Sequence, residues 1–135
     1  MNKKKMIVDK YNTVYSFDVY VVLNPSKDEL DKLFKWEEND SSIYDEKNKK
    51  YSAYSCIGVI DKSNGRRCFV VIINSLGTDE LFDINTFSHE AFHITMELLN
   101  ACDMQYSEDN CEAYAYLQGY ITECIYKTAK KEWAS

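Results

Sequence analysis

Histidine is scarce in this chain: two residues of 135, beside one proline, four glycines and two tryptophans. So little proline and glycine excludes collagen-like, low-complexity or linker-rich organisation. No apolar run approaches the roughly 20 residues that a membrane-spanning helix requires. A basic start of Lys3, Lys4 and Lys5 leads into Met6-Ile7-Val8, which is far too short for a signal-peptide core. No two of the five cysteines (Cys56, Cys68, Cys102, Cys111 and Cys124) stand at CxxC spacing, which excludes a zinc knuckle or a thioredoxin-like site. Their odd number points to free thiols in a reducing, cytoplasmic location, most of them acting as small buried hydrophobes. Basic residues are outnumbered 16 to 22 for a net charge of −6, so a nucleic-acid partner is not expected.

What is present suffices for a core. An apolar fraction of 45% over 135 residues is expected to fold as a single domain, residues 1–135. Residues 12–23 are rich in β-branched and aromatic side chains and read as a strand ended by Asn24-Pro25. Ser26 and Glu29 have the spacing of a capping box, and Leu30, Leu33 and Phe34 follow at helical spacing, which predicts a short helix over 26–38. The charged stretch 38–50 reads as a mobile surface loop. Strands at 51–60 and 67–74 flank Asn64-Gly65, a dipeptide suited to the left-handed backbone of a tight turn. Cys68 to Ile73 is apolar without alternation, as in a strand covered on both faces. Phe87, Ala91, Ile94 and Leu98 form a helical stripe within 83–100, and a last helix is expected over about 109–130. The order predicts an α+β fold, helices layered on a mostly antiparallel sheet.

Both histidines fall in one motif. Residues 89–93 read His-Glu-Ala-Phe-His, which is HExxH, inside a segment already expected to be helical. Positions i and i+4 share a helix face, so both imidazoles can reach a single ion. Glu90 sits one step round, where its carboxylate can take a proton from a metal-activated water without binding the metal. A catalytic zinc takes three protein ligands and keeps one position open. No third histidine exists, and Met96 stands where HExxHxxGxxH would have its glycine. Glu97 lies a further turn along the same helix. The next helix offers Glu108, Asp109 and Glu112. Glu112 comes nineteen residues after His93, opens a run that looks buried, and is followed by the small Ala113.

His89-Glu90-Ala91-Phe92-His93 with a downstream helical Glu112 resembles the gluzincin branch of the zincin metallopeptidases, over roughly residues 66–126. The run Glu112-Ala113-Tyr114-Ala115-Tyr116 is also similar to the Glu-Ala segment of small ImmA/IrrE-type peptidases. The resemblance implies a zincin-like core with zinc on His89, His93 and Glu112 and Glu90 as general base. It departs from thermolysin-like enzymes at Tyr116, where they carry an aspartate, and in having no spare histidine for the oxyanion. Tyr106, Tyr114, Tyr116 and Tyr120 are the candidates for that work. Strand 68–74 is the candidate edge for pairing with an extended substrate.

The expected function is zinc-dependent hydrolysis of a peptide or protein amide bond. One alternative is an inactive zincin-like module that keeps the metal. The other is a metal-free α+β interaction protein.

Overall fold

The computed structural model describes residues 4–77 and 79–133; Lys3 of the basic start lies outside them. Five strands form one sheet in the order β1-β2-β5-β4-β3: β1 Ile7–Asn12, β2 Asp18–Leu23, β3 Phe34–Trp36, β4 Ala53–Asp61 and β5 Arg67–Ile73. Three of the four pairings are antiparallel, and β2 runs parallel to β5. Three α-helices accompany it: α1 Lys27–Leu33, α2 Glu80–Ala101 and α3 Cys111–Trp133. This is the expected α+β class.

The unbroken apolar run of β5 is explained by its place in the middle of the sheet. Phe69, Val71 and Ile73 point to the face covered by α2 and α3, with Val19, Val21 and Leu23 of β2. Cys68, Val70 and Ile72 point to the other face, where Leu30 of α1, Phe34 and Ile43 cover them. A two-residue period therefore feeds two cores from one strand. The idea of 68–74 as a substrate-pairing edge is overturned by the same fact: β5 has β2 on one side and β4 on the other.

Several boundaries differ from the sequence reading. The span 12–23 is not one strand. Ser16 turns the chain with φ 66°, and Thr13 Oγ1 donates to Phe17 O at 2.7 Å, so β2 begins at Asp18 and pairs with a strand, β1, that the sequence reading missed. Helix α1 stops at Leu33 because Phe34 turns extended (φ −139°, ψ 157°), and Phe34–Trp36 pair with β4. Ser26 occupies the N-cap position without a side-chain cap bond, so the capping box is not formed. The loop after β3 is anchored by Ile43, which is buried in the second core, and it ends in a 3-10 turn at Glu46–Lys50. At 61–66 the expected tight turn is a four-residue loop: Asp61 O accepts from Asn64 N and Gly65 N, with Gly65 at φ 73°.

Helices α2 and α3 lie antiparallel on the sheet. Gln118 Nε2 donates to Ser88 O at 3.4 Å, and Tyr126 Oη donates to Glu80 Oε1 at 2.7 Å. The turn between the helices is set by Asp103, at φ 60°, and by Asn110, whose Oδ1 accepts from Ser107 N at 2.8 Å.

Candidate metal centre

Asp79 starts α2: its side chain accepts from Leu81 N at 2.9 Å, satisfying one of the free amides of the first turn. From there the helix runs 22 residues without proline or glycine. Phe87, Ala91, Ile94 and Leu98 are buried against the sheet. This anchoring turns the opposite face outward, and His89 and His93 are exposed on it. The two Nε2 atoms stand 3.2 Å apart, with ring centroids 4.8 Å apart. Two nitrogens bound to one tetrahedral zinc at about 2.0–2.1 Å lie about 3.3 Å apart. The imidazoles are thus placed for two corners of such a site. The same spacing serves an Nε2–H donating to its neighbour.

Glu90 takes the other direction. It is 7% exposed and faces β4, where Ser55 Oγ donates to its Oε1 at 2.8 Å. Ser55 thereby holds one oxygen of the Glu90 carboxylate. Sequence reasoning missed Ser55: it is 35 residues away and belongs to no motif. Beside Ser55 the strand is irregular. The register shifts between Cys56 and Val59, and Gly58 takes φ 77°. A bulge of this kind interrupts regular pairing, which resumes at Val59, and is a common device next to functional sites. β3 pairs only with Val59, Ile60 and Asp61. Among the described residues, Ala53 to Cys56 pair with β5 and with no strand on their other side, so β4 carries the unpaired edge near α2.

Glu112 lies in the first turn of α3 and is exposed. The antiparallel pairing of the helices puts the start of α3 alongside the C-terminal half of α2. Glu108 and Asp109 precede the helix and are exposed. Among the described residues, no group of three or more His, Cys, Asp or Glu side chains is gathered in metal-holding geometry. His89 and His93 come together, and Glu112 does not join them.

Two of the four tyrosines are committed elsewhere. Tyr114 Oη donates to Met104 O at 3.1 Å and Tyr120 Oη to Asn12 O at 2.7 Å. Tyr106 stacks on Tyr114 with centroids 5.1 Å apart. Tyr116 is 77% exposed and lines a separate cleft of about 420 Å³ with Asn12, Val14 and Tyr15. That cleft is larger than the one at the histidines but holds no titratable base. The cleft of about 250 Å³ that reaches His89 is lined by Tyr51, Ser52, Ala53, Asn85 and Thr86.

The cysteines are all free. Burial pushes the Cys56 and Cys68 thiols up to about 12, with the charge of Glu90 adding to the first and that of Asp61 to the second. Both are therefore inert protonated core residues. Cys102 and Cys111 are half-buried. No helix among the described residues is long and apolar enough to cross a membrane. Neither the family models, nor the curated proteins, nor the solved structures compared with this chain match it.

Proposed function

We propose that the protein is a zincin-like metallohydrolase that cleaves a peptide or protein amide bond. The observation that carries the reading is the pair of Nε2 atoms 3.2 Å apart on the outer face of α2, with a buried glutamate between the two histidines in sequence. His89 and His93 hold the metal. Glu112, in the first turn of the facing helix, is its third ligand. A zinc ion bound there supplies a Lewis acid and lowers the pKa of the water it carries.

The chain's own residues do the rest. Ser55 holds one oxygen of Glu90, which fixes the carboxylate while the other oxygen takes a proton from water and passes it to the leaving amine. The open edge of β4 offers backbone groups to an extended substrate. Burial of Ala91, Ile94 and Leu98 keeps both histidines on one rigid face.

A second reading, a metal-binding module without turnover, is favoured by one observation: the Tyr114 and Tyr120 hydroxyls are used by backbone carbonyls and are not free to stabilise an oxyanion. Elemental analysis decides the metal. Near-stoichiometric zinc is expected in wild type, lost in His93→Ala and reduced in Glu112→Ala; no zinc in wild type after metal is added back overturns both readings. Peptide turnover lost in Glu90→Gln with zinc retained separates the enzyme from the module.

A further inference from the structure

The hydrolytic reading makes no use of Tyr51, although it lines the cleft at His89. Its backbone is tied on both sides: the amide donates to Asn48 O at 3.0 Å, and the carbonyl accepts from Asn74 Nδ2 at 2.9 Å. The same Asn74 side chain also donates to Asn48 O at 3.0 Å, which fastens the Glu46–Lys50 turn to the end of β5. The Lys50 ammonium stands over the Tyr51 ring, 5.2 Å from its centroid. Lys49 is neutralised by Glu46 at 3.1 Å, whereas Lys50 has no acidic partner among the described residues. A cation thus stands over the ring of a residue that lines the cleft, in a chain whose net charge is −6.

We propose that Lys50, placed by Tyr51, receives a carboxylate of the substrate, so that the His89 cleft selects peptide segments carrying an acidic group next to the bond to be cut. The group is an aspartate or glutamate side chain or a free C-terminal carboxylate; their chemistry at Lys50 is the same. The proposal rests on the hydrolytic reading for its meaning, but its test does not use turnover. An exposed charge pair contributes a factor of about two to five in affinity.

The test is fluorescence anisotropy with zinc-free protein and dye-labelled, alanine-based hexapeptides. One peptide carries a single glutamate and one the matching glutamine, each made as the free acid and as the C-terminal amide. Wild type is compared with Lys50→Met and with Lys32→Met. The second variant makes the same charge change on α1, which covers the other face of the sheet. The expected result is a preference of about two- to fivefold for an acidic peptide over the glutamine amide, abolished in Lys50→Met and kept in Lys32→Met. The glutamate amide and the glutamine free acid show which carboxylate is read. No binding of any probe, no preference, a preference that survives Lys50→Met, or equal loss in Lys32→Met overturns the proposal. Failure of the hydrolytic reading appears instead as missing zinc or missing turnover, and leaves this comparison readable.

Discussion

Ser55 Oγ donates to Glu90 Oε1 at 2.8 Å, joining the middle of the sheet's open-edged strand to the acid of the HExxH helix. A carboxylate 7% exposed needs such a partner, because an unpaired buried acceptor costs about 1–3 kcal/mol. Ser55→Ala is therefore expected to lower stability by about that amount, while Ser55→Thr, which restores the hydroxyl, loses less. Urea denaturation followed by circular dichroism reads both. A Ser55→Ala chain as stable as wild type would show that the hydrogen bond contributes nothing.

Much of this arrangement was legible in the sequence, and the missing parts share a cause. The β4–β5 hairpin is written in Asn64-Gly65 and the apolar run after it, and α2 in its stripe from Phe87 to Leu98; these are local patterns. β1 escaped because Asp9 and Lys10 break its apolar run, and the side-chain partners of Asp9, Thr128 and Lys131, lie 119 and 122 residues away. The change from helix to strand at Phe34 is decided by pairing with Asp61, which no local pattern contains. At the site, the histidine pair follows from i,i+4 spacing alone. Ser55 and Tyr51 become neighbours of α2 only once β4 lies beside it.

Loop 38–50 gives a second test of an anchor that composition hid. Ile43 is the one large aliphatic side chain in a charged stretch, and it is 1% exposed against Leu30, Phe34 and Cys56 in the second core. Removing it leaves a cavity, with an expected cost of about 2–5 kcal/mol for Ile43→Ala. Substitution at a charged neighbour such as Glu38→Ala is expected to stay within about 0.5 kcal/mol. Denaturant midpoints for the two variants distinguish an anchored loop from a solvated one; equal midpoints would sink the anchor.

Tyr20 and Asp61 make the stability of the far side of the sheet depend on pH at both ends. Tyr20 Oη donates to Asp61 Oδ2 at 2.5 Å, and Ser63 adds its amide at 2.8 Å and its hydroxyl at 2.6 Å. Burial alone would raise the Asp61 pKa, but the hydrogen bonds from Ser63 and Tyr20 outweigh it and hold the carboxyl below its ordinary value. A folded pKa below the unfolded one gives stability that is present above about pH 4 and lost as pH falls through the folded value. The Tyr20 hydroxyl is pushed up, by burial first and by Asp61 second. Its contribution is intact below about pH 10 and is lost as pH rises beyond that. Asp61→Asn should flatten the acid limb of a stability-against-pH curve and leave the neutral plateau lower by about 1–3 kcal/mol. An acid limb unchanged in Asp61→Asn would assign it to other carboxylates.

Zinc and folding are linked if the histidine pair is a metal site, because an ion that binds the folded chain and not the unfolded one adds stability by mass action. At a free zinc concentration one hundred times the dissociation constant, the gain is about 2.7 kcal/mol. For a chain of 135 residues this corresponds to a rise in Tm of about 10 °C. Glu90→Gln should keep the shift, since Glu90 faces Ser55 and is no ligand. His89→Ala and His93→Ala should abolish it, because one imidazole on an exposed helix face is a weak site. Glu112→Ala should give a smaller shift than wild type if the facing helix supplies the third donor, and an equal one if it does not. Chelation of the zinc-loaded wild type should return its Tm to that of the His93→Ala chain. A wild type whose Tm is unmoved by zinc across the micromolar range removes the metal from the site and the hydrolytic chemistry with it.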